Sequence, residues 1–111
     1  MILLTSEKIG KAAVVRIDGR IDAETSKQLE DLCAEWIAKE EKFLILDFTQ
    51  VRYISSWGLR SVLGIGKNMD NQGGLLIACG LNAMVKEVFQ ISGFDSLFRT
   101  FPTMDTALAS L

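Results

Sequence analysis

Phe43-Leu44-Ile45-Leu46-Asp47-Phe48 leads, after a short interval, into Tyr53-Ile54-Ser55-Ser56-Trp57-Gly58-Leu59-Arg60. The first segment is almost wholly apolar, with no alternation. A run this short suits a central strand covered on both faces. The second segment opens a different period. Leu59, Val62, Leu63, Gly66 and Met69 fall on one face of a helix predicted from about Ser56 to Met69. A buried strand running into an amphipathic helix is the core of a βα unit. Gly64 and Gly66 each cost roughly 1 kcal/mol relative to Ala inside a helix. They predict a helix lying close to a neighbouring backbone.

Toward the N-terminus, residues 2–18 read as a hairpin, with Gly10 supplying a positive φ in Glu7-Lys8-Ile9-Gly10-Lys11. Its second arm, Ala12 to Ile17, is β-branched at Val14, Val15 and Ile17. Asp22 to Lys39 predicts a helix with Leu29, Leu32, Cys33, Trp36 and Ile37 in one apolar stripe and Asp22 as its N-cap. Trp36 on that stripe reads as packing. Toward the C-terminus, Asn71-Gln72-Gly73-Gly74 is a turn and Leu75-Leu76-Ile77-Ala78-Cys79 a second buried strand. Asn82 caps a helix bearing Met84, Val85, Val88 and Phe89, which Ser92-Gly93 ends. Phe98-Arg99-Thr100-Phe101 alternates as a last short strand, and Pro102-Thr103 introduces a final helix with Met104, Ala107, Leu108 and Leu111 inward. Strands alternating with helices predict an α/β fold: a mixed, mostly parallel sheet of about five strands packed against about four helices.

The 111 residues suit a single domain spanning 1–111, and 49% apolar residues with 23% charged ones suit a packed core. Twelve basic residues against fourteen acidic ones show none of the basic excess of a nucleic-acid binder. Histidine is absent, which removes Ser-His-Asp and Cys-His catalysis and His-ligated metal. Cys33 and Cys79 lie far apart in apolar stretches and read as buried free thiols in a reducing compartment. The opening apolar run, Met1 to Leu4, is too short for a signal peptide or a membrane span, so the expectation is a cytoplasmic protein without direct membrane insertion.

Gly64-Ile65-Gly66-Lys67 misses the phosphate-loop pattern, since position 61 is Ser and position 68 is Asn. Asp18, Asp22 and Asp47 read as solvated turns or caps in preference to a cation site. Neither a metal nor a cofactor is expected. The chemistry concentrates where the central strand gives way to the helix, the end of an α/β sheet at which ligands and partners are met. Ser55 or Ser56 at a helix start can cap a free N–H, a purely structural role. The same position tolerates a phosphate, because a helix N-terminus carries about half a positive charge. Such a phosphate adds roughly −1.5 to −2 charges and would disturb a partner docked there.

Four stretches, taken in order, resemble the STAS domain family, the sulfate-transporter and anti-sigma-factor-antagonist domain, over essentially the full length. They are Gly19-Arg20-Ile21-Asp22, then Leu46-Asp47-Phe48 through Tyr53-Ile54-Ser55-Ser56-Trp57-Gly58-Leu59, then Gly74-Leu75, and Val88-Phe89-Gln90-Ile91-Ser92-Gly93-Phe94 ending at Leu97-Phe98. The likeness is greatest to free-standing bacterial anti-sigma factor antagonists. It implies a switch: an anti-sigma factor serine kinase phosphorylates the antagonist, the unphosphorylated form binds that kinase, and a serine phosphatase resets it. It places the phosphoacceptor two residues before Gly58, at Ser56, and an acidic contact residue at Asp22. Two departures stand out. Ser55 occupies a position often held by Asp, which makes it a second candidate acceptor. Trp57 replaces a usually small residue at the expected docking surface.

The function expected is therefore a regulatory binding module, not an enzyme, with partner contacts at Asp22, Ser55, Ser56, Trp57, Gly58 and Arg60. Lys67 and Asn68 would lie at the periphery of that surface. The alternative within the same resemblance is a STAS subunit of a membrane transport complex that docks on an ATPase or permease without phosphorylation.

Overall fold

The computed structural model describes residues 1–94 and 98–111. Its sheet is built around two long neighbouring strands. β1 (Ile2–Ile9) and β2 (Ala12–Ile21) form the antiparallel hairpin, closed over Gly10 at φ 57°. β3 (Phe43–Ile54) lies parallel to β2 and runs to the edge of the serine pair. It is longer than the apolar run, because Val51 and Ile54 keep facing the core after the polar Thr49 and Gln50. β4 (Leu75–Cys79) and the short β5 (Arg99–Phe101) extend the sheet in parallel, giving the order β1-β2-β3-β4-β5.

Three crossovers step the same way along this order: α1 (Ser26–Ala38), α2 (Ser56–Asn71) and α3 (Ala83–Ile91). Because βαβ crossovers are right-handed, equal steps place their helices on one face of the sheet. The main core lies there. Leu29 and Cys33 of α1, Leu59, Val62, Ile65 and Met69 of α2, and Val85 and Phe89 of α3 pack onto Val15, Ile17, Leu44, Leu46 and Phe48. Phe89 centres an aromatic cluster, edge-on to Phe48, Phe94 and Phe98 at centroid separations of 5.6 to 6.1 Å.

Among the described residues the opposite face is covered by one helix, α4 (Met104–Ala109), which seals Ala12, Val14, Ile45, Ile77 and Cys79. Full coverage of the 43–48 run therefore fails at Asp47, which lies beyond the reach of this short helix. There the sheet turns polar, with an Arg16–Glu7 ion pair at 2.5 Å and an Arg52–Asp18 pair at 3.7 Å.

Three local expectations need correction. The first helix starts at Ser26, not Asp22. The Thr25 hydroxyl donates to the Arg20 carbonyl at 2.7 Å and accepts from the Asp22 N–H at 2.9 Å, which holds residues 22–25 as a separate turn. Asp22 thus caps that turn, not the helix: its carboxylate accepts from the N–H groups of Glu24 and Thr25 at 3.0 and 3.2 Å. The third concerns the helix glycines. A Cβ at Gly66 would come within 3.2–3.3 Å of Phe98 and Leu76 side chains, whereas one at Gly64 would meet nothing within 4 Å. Only Gly66 answers to close packing, and its neighbours are side chains, not backbone. Asn82 caps α3 as expected, and Thr103, in the stretch expected to introduce the last helix, caps α4. Leu97, part of the fourth family stretch, lies outside the described residues.

Candidate functional site at the junction of the third strand and second long helix

The site is assembled by strand register. Arg20 pairs with Tyr53 and Ile21 with Ile54, so the two long strands end side by side. The Ser55 N–H then donates to the Ile21 carbonyl at 2.9 Å, which fixes where the chain leaves the sheet. Ser55 stays extended, at φ −87° and ψ 172°, and its hydroxyl accepts from the Gly58 N–H at 3.1 Å. Ser55 is the N-cap of α2.

Ser56 follows as the first helical residue. It is exposed, and its hydroxyl has no hydrogen-bond partner among the described residues. The two serines, alike as local cap candidates in the sequence, are chemically distinct in the fold. Gly58 is buried beneath them, with Ile21 and Ile54 occupying the space a side chain would need. No acidic side chain lies in the first turn of α2, so the positive end of the helix is not offset from within it.

Asp22 continues from Ile21 and therefore reaches the same corner. Its Oδ2 lies 3.6 Å from Arg20 Nε. Desolvation works to raise its pKa. The hydrogen bonds from Glu24 and Thr25, together with the Arg20 charge, outweigh it and hold the carboxyl below its usual 3.8. Arg20 also lies over the Tyr53 ring, 4.9 Å from the centroid. Arg20 and Tyr53 were not singled out by sequence reasoning. Both lie in the family stretches, but only the pairing of β2 with β3 shows that they complete the rim.

Trp57 projects outward at 53% exposure, and the Arg60 guanidinium lies 5.4 Å from its ring centroid. Both residues border a groove of about 710 Å³ between α1 and α2, with Lys27, Glu30, Ser61 and Asn68 along its length. Ser61 is buried and donates to the Glu30 carboxylate, tying the two helices together. Lys67 instead lines a smaller cleft of about 220 Å³ beside Phe98, away from the serines. Asp22, Ser55, Ser56, Trp57, Gly58 and Arg60 thus gather at one end of the sheet, Asn68 lies further down the groove, and Lys67 does not join them.

The remaining reactive side chains are elsewhere. Burial pushes both the Cys33 and Cys79 thiols up to about 12, with Asp47 adding to the effect at Cys79 and Arg16 opposing it. Asp18 pairs with Arg52 at 3.7 Å and Asp47 accepts from the Thr49 N–H at 2.9 Å, and among the described residues these two do not gather with Asp22 into a cation site. Among the described residues no three His, Cys, Asp or Glu side chains come together as a metal site, and no helix is long and apolar enough to cross a membrane.

A five-stranded mixed sheet with three helices on one face, and a helix that starts at a serine pair where two strands end, defines the fold class of this chain. Residues 4–107 match the STAS domain, and the chain belongs to that family. Bordetella bronchiseptica BtrV, provisionally named an anti-sigma factor antagonist, is 36% identical over 107 residues, covering 96% of this chain and 92% of its own. Among solved structures, an anti-sigma factor antagonist from Mycobacterium paratuberculosis superposes with a TM-score of 0.91 at 24% identity, covering 99% of this chain and 93% of the other. The Bacillus cell fate determinant SpoIIAA, solved in its phosphorylated form, superposes with a TM-score of 0.77 at 21% identity, covering 97% of this chain and 98% of the other.

Proposed function

We propose that this chain is an anti-sigma factor antagonist, a single-domain phospho-switch. With Ser56 unmodified it binds an anti-sigma factor serine kinase, and phosphorylation of Ser56 releases it. One observation carries the choice of residue. The Ser56 hydroxyl is exposed and unpartnered, whereas the Ser55 hydroxyl is engaged in capping α2. The antagonist names of the relatives support the partner class.

The chain supplies an acceptor and a surface; the partner supplies the catalysis. Ser56 Oγ attacks the γ-phosphorus of kinase-bound ATP, ADP leaves, and the hydroxyl proton passes to a base of the kinase. A serine phosphatase hydrolyses the ester, returning the hydroxyl and inorganic phosphate. Nothing in this cycle requires acid–base catalysis from a chain without histidine. Asp22, Trp57 and Arg60 form the rim that meets the partner, and Gly58 lets the helix start lie against β2. The cycle belongs to the cytoplasm.

The phosphate acts by charge. It places roughly −1.5 to −2 charges on a surface that must be desolvated for docking. Co-expression with a candidate kinase, followed by phosphosite mapping, is expected to find phosphate on Ser56. Ser56→Ala is expected to retain binding, and Ser56→Asp to weaken it by about tenfold or more, equivalent to about 1.4 kcal/mol. Equal binding by both variants refutes the charge switch. A transport ATPase recovered from native lysate instead of a kinase would favour the transport-complex reading.

A further inference from the structure

We propose that Arg60 receives the phosphate on Ser56, and that in doing so its guanidinium leaves the Trp57 ring. The inference rests on the reading of Ser56 as the modified residue and adds to it a definite partner within the chain.

Arg60 is the available cation at this corner. Among the described residues it has no ion pair and no hydrogen bond, and its one aromatic contact is Trp57 at 5.4 Å. The neighbouring cations are engaged. Arg20 is held by Asp22 at 3.6 Å and by the Tyr53 ring at 4.9 Å, and Lys27 by Asp31 at 3.1 Å.

Helix geometry makes the exchange local. Ser56 and Arg60 are i and i+4 in α2, while Trp57 and Arg60 are i and i+3. Residues at both spacings are neighbours on a helix surface, with Cβ atoms roughly 5–6 Å apart. Arg60 therefore stands within reach of both side chains. An anion on the N-terminal member of an i,i+4 pair is also the favoured orientation. With a neutral serine at position 56, the indole face is the better partner for an exposed guanidinium. A phosphomonoester carries nearly two charges and offers three acceptor oxygens to the planar guanidinium fork, so it displaces the weaker ring contact.

The exchange has a consequence for docking. Trp57 and Arg60 both border the groove between α1 and α2. Phosphorylation then changes this border twice, by adding charge and by uncovering the indole face. The backbone need not move, because the Ser55 cap and the Gly58 contact with Ile21 involve neither Ser56 Oγ nor Arg60.

The test uses full-length protein with phosphoserine built in at position 56 during translation, so it requires no kinase. Phosphorus NMR titration gives the second pKa of the phosphate. Arg60→Gln is expected to raise that pKa by roughly 0.3–0.5 unit, with Arg60→Lys keeping part of the difference and Arg20→Gln leaving it unchanged. In a Trp36→Phe background, Trp57 emission is expected to change on phosphorylation with Arg60 present and to stay fixed in the Arg60→Gln protein. An identical phosphate pKa with and without Arg60 overturns the proposal, as does a pKa that responds to Arg20→Gln instead. Either result leaves the switch itself standing. Conversely, kinase co-expression that leaves Ser56 unmodified refutes the switch without touching this measurement.

Discussion

The carbonyl oxygen of Ile21 lies where a side chain on Gly58 would have to go, only 2.5 Å from the position of a Cβ. The Ile21 and Ile54 side chains close the same space at 2.9 Å. Two strand ends therefore hold the first turn of α2 in contact with the sheet. Gly58→Ala is expected to destabilise the fold by about 1–3 kcal/mol, since backbone on one side prevents simple relaxation. Urea unfolding measures this. An unchanged midpoint would show that the helix start can move away from β2 at no cost.

The two serines separate in stability as well as in chemistry. Ser55→Ala removes the acceptor for the Gly58 N–H and is expected to cost about 1 kcal/mol. Ser56→Ala removes an exposed hydroxyl without a partner and is expected to stay within about 0.5 kcal/mol of the parent. Thermal unfolding of the two variants decides it. The reverse order of stability would transfer the cap to Ser56.

Gly64 is the opposite case to Gly58. A Cβ there meets nothing within 4 Å, on the exposed side of α2 facing the groove. Gly64→Ala is expected to stabilise the protein by roughly 0.5–1 kcal/mol through helix propensity. If the same variant binds the partner less well, the open floor of the groove is used in docking.

Asp22 gives a pH dependence with a definite sign. Its folded pKa is lowered below 3.8, so its contribution is present above 3.8 and is lost as the pH falls through the lower folded value. Asp22→Asn is therefore expected to be less stable than the parent at neutral pH, with the gap closing as the pH falls below 3.8. A gap that stays constant across that range would remove the charge from the account.

The thiols act at the other end of the scale. Folded Cys33 and Cys79 keep their protons until about pH 12, whereas the unfolded thiols ionise near 9.0. Above 9.0 the unfolded chain binds fewer protons, so stability falls as pH rises. Neither thiol is expected to react with an aromatic disulfide reagent at pH about 8 until the protein unfolds. Rapid labelling of the native protein would contradict this.

Much of the architecture was legible from periodicity. The apolar 43–48 run, the stripe through Leu29, Cys33 and Trp36, the cap Asn82 and the Pro102-Thr103 lead into the last helix each announce their element locally. The start of α1 was not legible, because Thr25 is held by the carbonyl of Arg20 and Asp22 is drawn into a turn. The full length of β3 was hidden for a related reason. Thr49 and Gln50 interrupt the apolar run, yet pairing with β2 carries the strand past them.

At the site, the sequence by itself determined that two serines precede a glycine at the start of an amphipathic helix, in a chain without histidine. Those facts follow from residue type and spacing, which chain-local chemistry can read. Which serine is free was decided only by tertiary structure. The Ser55 N–H is taken by Ile21, a residue 34 positions away, and with its backbone extended there Ser55 caps the helix while Ser56 is left exposed. The arrival of Asp22, Arg20 and Tyr53 beside it depends in the same way on the parallel register of two strands. Register is a property of the assembled sheet, and no local pattern encodes it.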